Sequence, residues 1–131
     1  MSIRKFALPF FVLAIGEATY AADTGDAVAG KTYFTQTCKQ CHSAEAGDAG
    51  GEIGPSLIGL YGRPAGVGDD RFNYTKALTD SKLVWNRETL DRFLTDPAMT
   101  VPGTMMALVV PEKKDRDNLI AYFQSLGGAT K

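Results

Sequence analysis

The 131-residue chain holds little of what enzymes use for acid–base or nucleophilic work: one histidine, His42, and two cysteines, Cys38 and Cys41. Two cysteines exclude a multiply disulfide-bonded scaffold, and a zinc site would have only carboxylates left to complete it. Charge of one sign is also missing. With 14 basic and 15 acidic residues, a net charge of −1 and no long basic run, the chain lacks the electrostatic footprint of nucleic-acid binding. Strand signals are absent, there is no internal repeat, and no βαβ pattern accompanies the cysteine pair, as a redox C-x-x-C of thioredoxin type would require.

What is present is concentrated at Cys38-Lys39-Gln40-Cys41-His42, which fits the C-x-x-C-H pattern of covalent haem attachment. Residues three and four apart on a helical turn share a face. Cys38 and Cys41 can therefore form thioethers to two haem vinyls while His42 presents a ring nitrogen to the iron. Because His42 is the only histidine, a second axial ligand must come from elsewhere, and Met99, Met105 and Met106 are available.

Residues 1–21 have the pattern of a signal peptide. Arg4 and Lys5 form the charged region, Phe6 to Ile15 an apolar run interrupted by Pro9, and Thr19 and Ala21 the small residues before a cut after Ala21. The run is short for a membrane span, and the competing reading is an uncleaved anchor. Export to the periplasm of a bacterium suits the motif, since c-type haem attachment takes place outside the bacterial cytoplasm. The remaining 22–131 are the size of one small domain. Without Arg4, Lys5 and Glu17, the 14 basic and 15 acidic residues become 12 and 14, a net −2.

The helical signals predict an all-α fold. A first helix is expected over Gly25–Thr37, capped by Asp23 or Thr24 and ending at the haem motif. A short helix is expected at Asn73–Thr79. Another, Arg87–Leu94, follows the Asn86 cap and is stopped by Pro97. The last carries Pro111 in its first turn, an apolar face at Leu119, Tyr122, Phe123 and Leu126, and Gly127 at its C-cap. The connections are long for a compact domain, and a buried haem would organise them.

Between His42 and the last helix stand Gly54-Pro55, Arg63, Tyr74, Trp85 and Pro102-Gly103-Thr104-Met105-Met106. With these motifs the chain resembles the class I c-type cytochromes, particularly the mitochondrial cytochrome c and bacterial cytochrome c2 group. The resemblance implies the small cytochrome c fold, with about four to five helices and long loops around one covalent haem c. It implies that Gly30 and Phe34 of the first helix cross the last helix near Leu119 and Tyr122, and that the Pro55 carbonyl accepts the proton-bearing nitrogen of His42. It places Tyr74 and Trp85 on a haem propionate with Arg63 close by. It also makes Pro102-Gly103-Thr104 the start of the ligand loop, with Thr104 beside the haem, Met106 on the iron and Met105 exposed. Phe93 and Leu78 depart from the tyrosine and asparagine of the mitochondrial proteins.

The function implied is a soluble periplasmic monohaem carrier of single electrons, not an enzyme. It would be a monomer without stable membrane insertion once the signal is cut. Its partners would be redox proteins met transiently, a membrane reductase or oxidase or a periplasmic dehydrogenase. Lys39, Lys76, Lys82, Lys113 and Lys114 could form a positive rim at the haem edge. The alternative is a catalytic or gas-sensing haem protein with a labile sixth ligand, for which no distal histidine remains.

Overall fold

Asp26 starts the first element by accepting hydrogen bonds on its carboxylate from the backbone N–H of Val28 (2.8 Å) and Ala29 (3.2 Å), which satisfies two of the free donors at a helix start. The computed structural model describes residues 25–47 and 53–127, so the expected signal segment and the Asp23 and Thr24 caps lie outside the described residues. Helix α1 runs Ala27–Tyr33, two residues later than the expected start, because the cap is Asp26. It then widens into a π-helical turn, Phe34–Cys38, in which Lys39 N–H donates to Phe34 C=O at 2.9 Å, five residues back. Such turns are rare and frequent at functional sites.

Four further α-helices follow: α2 (Lys76–Asp80), α3 (Arg87–Thr95), α4 (Pro97–Thr100) and α5 (Lys113–Ser125). Among the described residues no strand forms, and one isolated bridge pairs Pro64 with Val84. The fold is all-α. Helix α2 starts later than the expected Asn73, because Thr75 is its cap. Asn86 and Thr89 cap α3 reciprocally, each side chain accepting from the other's backbone N–H at 2.9 Å. Pro97 was expected only as a stop, yet it also opens α4, with Asp96 as the cap accepting from Met99 N–H at 3.0 Å. Pro111 falls outside the first turn of α5, whose N-cap is Glu112, and the C-cap is Leu126 with Gly127 just beyond at φ +86°.

Helices α1 and α5 cross where Gly30 meets the Asn118 carbonyl. A Cβ at Gly30 would stand 2.0 Å from that oxygen, so only glycine permits the approach. Phe34 then reaches Tyr122 (ring centroids 5.5 Å) and Phe123 (6.4 Å), and Asp26 N–H donates to Asn118 Oδ1 at 2.8 Å. Leu119, Ile120 and Val110 are fully buried beneath. Arg116 ties α5 to α3 and to the preceding loop, donating from Nε to Asp91 Oδ1 (2.7 Å) and from Nη1 to the carbonyls of Val110 (2.9 Å) and Pro111 (2.7 Å).

Candidate functional site

A cavity of about 830 Å³ opens beside the end of the π-helical turn. All nine candidate residues line it: Cys38, Cys41, His42, Pro55, Arg63, Tyr74, Trp85, Thr104 and Met106. They come from five separated stretches, Cys38 to His42, Pro55 to Arg63, Tyr74, Trp85, and Thr104 to Met106, which the loops bring to one place. Gly62 N–H donates to Trp85 C=O (2.6 Å), Trp85 N–H to Arg63 C=O (2.9 Å) and Ala65 N–H to Leu83 C=O (2.8 Å), so the Arg63 and Trp85 segments lie side by side.

His42 is half-buried, and its Nδ1 lies 2.9 Å from the Pro55 carbonyl oxygen. A carbonyl only accepts, so Nδ1 carries the proton and Nε2 keeps its lone pair. Burial lowers the His42 pKa and the hydrogen bond to Pro55 opposes that, which favours the neutral, ligating ring. Gly54 is packed against the imidazole: a Cβ there would come within 2.6 Å of His42 Cε1. Burial, with the neighbouring Cys41 second, pushes the Cys38 thiol up to about 11.

Two buried polar atoms among the described residues have no hydrogen-bond partner, Arg63 Nε and Tyr74 Oη, and both residues line the cavity. Burial is the first cause of the raised Tyr74 pKa. The rest of the Arg63 guanidinium is fixed, with Nη1 donating to Ile58 C=O (3.0 Å) and Nη2 to Ser56 C=O (3.4 Å). Orphaned donors of this kind are costly unless an acceptor arrives, and the carboxylates of a haem supply acceptors of the right charge. The apolar lining from Leu57, Leu60, Leu90, Phe93 and Leu94 suits the rest of such a ring system.

Of the methionines, Met99 is 79% and Met105 85% exposed, whereas Met106 is half-buried and packs against the core. Gly103, at φ +94°, makes the turn before Met105 and Met106, and Thr104 Oγ1 accepts from Met106 N–H at 3.4 Å.

The family model for cytochrome c matches residues 27–127. The chain belongs to the cytochrome c family. Among its relatives, the c-type cytochrome cy of Rhodobacter capsulatus is 40% identical over 111 residues, which is 84% of this chain and 54% of that protein. The cytochrome c of Euglena viridis is 41% identical over 103 residues, 78% of this chain and 98% of that one. The solved structure of cytochrome cH from Methylobacterium extorquens superposes with a TM-score of 0.70 at 39% identity, covering 77% of this chain and 99% of that one. The chain thus spans about half the length of the Rhodobacter relative and nearly all of the other two. Cytochromes c are electron carriers rather than enzymes, and the family implies covalently bound haem c.

The structure adds two features that the motifs did not announce. None of the five lysines expected at the haem edge lines the cavity, and three of them are paired with carboxylates: Lys39 with Glu45 (3.1 Å), Lys113 with Asp117 (2.5 Å) and Lys76 with Asp80. And Asp69, next to Gly68, is buried, with its side chain 3% exposed. Its Oδ2 accepts from Ser56 N–H at 3.0 Å, and its Oδ1 accepts from Arg71 N–H and Arg71 Nε, each at 3.2 Å. The Ser56 hydrogen bond comes first among the causes that hold the Asp69 carboxyl below its ordinary range. An aspartate whose partner lies 13 residues away in a turn-rich stretch leaves no periodic signal in the sequence.

Proposed function

We propose that the chain is an exported one-electron carrier with a single haem c, bound through Cys38 and Cys41 and ligated by His42 and Met106. The convergence of nine residues from five separated stretches on one cavity, with Arg63 Nε and Tyr74 Oη left as unmatched donors, carries this reading. The haem would supply the ferric/ferrous couple. Pro55 orients His42 and fixes its tautomer; Tyr74, Arg63 and Trp85 hold the propionate end; Thr104 steadies the Met106 backbone. With His42 and Met106 both holding it, the iron would favour its reduced state and would be closed to substrates. The signal segment 1–21 is removed, leaving 22–131 as a monomer in a bacterial periplasm, consistent with bacterial relatives of the same family.

Its partners are redox proteins met transiently, in encounters at the small end of interface sizes. With Lys39, Lys76 and Lys113 already paired, the contact leans on the exposed Met105, Ala107 and Leu108, all of which line the cavity. The deciding experiment is an optical spectrum of the protein matured in its periplasm, as the pyridine adduct and in both redox states, after acid–acetone extraction. One haem per chain that resists extraction is expected. Extractable haem refutes the attachment.

A further inference from the structure

Pro55 C=O and Ser56 N–H belong to one peptide unit, and each end of it meets a side chain. His42 Nδ1–H donates to the oxygen at 2.9 Å, while the nitrogen's proton is given to Asp69 Oδ2 at 3.0 Å. The unit thus stands between a carboxylate and an imidazole. We infer that Asp69 is a positioning residue for His42: acting through the Pro55–Ser56 peptide, it strengthens the hydrogen bond at Nδ1 and lowers the reduction potential of the bound haem. This rests on the carrier reading, and goes beyond it by naming a carboxylate that touches neither haem nor ligand.

The peptide bond is a conjugated, planar group, so an anion accepting at its N–H drives electron density toward its oxygen. A charged acceptor makes that hydrogen bond roughly twice as strong as a neutral one. The more negative Pro55 oxygen pulls harder on the Nδ1 proton and makes Nε2 a stronger donor, and a stronger donor favours the oxidised metal. Ser56 is held for the task. Its carbonyl accepts from Arg63 Nη2 (3.4 Å), its hydroxyl from Ile58 N–H (3.4 Å), and the residue is 8% exposed. The two oxygens of Asp69 divide their work, Oδ1 holding its own loop at Arg71 and Oδ2 reaching across to Ser56. Arg71 neutralises part of the carboxylate charge, and Asp70 and Tyr74 are the other titratable neighbours.

The test is Asp69→Asn in the haem-loaded full chain, which keeps an acceptor for Ser56 N–H but removes its charge. The equilibrium with a one-electron reference couple is expected to move toward the reduced form by about three- to tenfold, or ~28–59 mV at about 59 mV per decade. In the ferrous protein, the His42 Nδ1–H proton resonance should move upfield and exchange faster with solvent. Arg71→Gln leaves the carboxylate less neutralised, and both readouts should move the opposite way. That second variant decides the matter even where Asp69→Asn does not fold. An unchanged potential in both variants overturns the relay. A potential that moves while the Nδ1–H resonance stays fixed also overturns it, since the charge then acts through space. Failure of the carrier reading shows itself differently, as a wild-type chain without covalent haem.

Discussion

Replacing Gly30 with alanine sets helix propensity against helix packing, and the two differ in sign. On propensity alone, alanine in a helix interior is favoured over glycine by about 1 kcal/mol. At the crossing, the new Cβ would lie 2.0 Å from Asn118 O and 2.9 Å from Tyr122 Cβ. The carbonyl belongs to the backbone of α5 and cannot turn aside. Ordinary contact begins near 3.4 Å, so α1 would have to withdraw by about 1.4 Å. A gap of roughly 0.5–1 Å already forfeits a quarter to a half of each dispersion contact, and the Phe34, Tyr122 and Phe123 rings would lose theirs together. Overpacking costs about 1–3 kcal/mol, and a clash of backbone against backbone belongs at the top of that range. The net expectation is about 2 kcal/mol of destabilisation, a fall in Tm of roughly 8 °C or more for a domain of this size. Thermal unfolding of the haem-loaded protein, followed by circular dichroism at fixed pH, measures it. A Tm that is unchanged or raised refutes the packing argument.

Met106→Ala should abolish the weak red-region band of the ferric protein and lower its potential, whereas Met105→Ala, at a position 85% exposed, should keep both; the reverse pattern moves the ligand to Met105. Tyr74→Phe should cost the haem-loaded protein about 1 kcal/mol in denaturant unfolding if the buried hydroxyl meets a propionate, and a neutral or stabilising result would show that it does not. The Asp69 carboxyl is held below the ordinary aspartate value of 3.8, so its contribution to stability is present above that pH and is lost as acid carries the folded group through its lowered pKa. Asp69→Asn should therefore lower stability at neutral pH and flatten the acid limb below about pH 4 in a denaturation series; an acid limb identical to wild type contradicts this. Electron-transfer rates with membranes of the source cell should change more in Lys82→Glu and Lys114→Glu than in Lys39→Glu, because Lys39 is already paired with Glu45; equal effects across a salt series would show that the pairing does not matter.

The C-x-x-C-H motif and the Pro102-Gly103-Thr104 turn stand out in the sequence because each is a run of consecutive residues, and the structure brings both to one cavity. Helix α3 was legible too, since Asn86 caps it through its own side chain. The start of α5 was harder: Glu112 makes no side-chain cap hydrogen bond, so the neighbouring Pro111 was the only signal. Helix α4 hid in Asp96-Pro97, where one proline both ends a helix and begins the next. The π-helical turn at Phe34-Thr35-Gln36-Thr37-Cys38 has no residue that demands it, and the contact of Phe34 with Tyr122 of α5 is seen only in the folded chain. The lysines show the limit of counting charges, because pairing with Glu45, Asp80 and Asp117 appears only once the chain is folded.

The clasp between α1 and α5 also has a place in time. The hydrogen bond from Asp26 to Asn118 closes a span of 92 residues, which in chain entropy costs about 4 kcal/mol beyond a constant term. A chain made from its N-terminus presents Cys38, Cys41 and His42 long before α5 exists. Phe123, which belongs to α5, is also part of the cavity lining, so one wall arrives last. A rigid, flat group can thus be laid in sideways while the vessel is still open, with no need to thread a finished mouth. The final helix then acts as the lid of a box that is packed before it is shut.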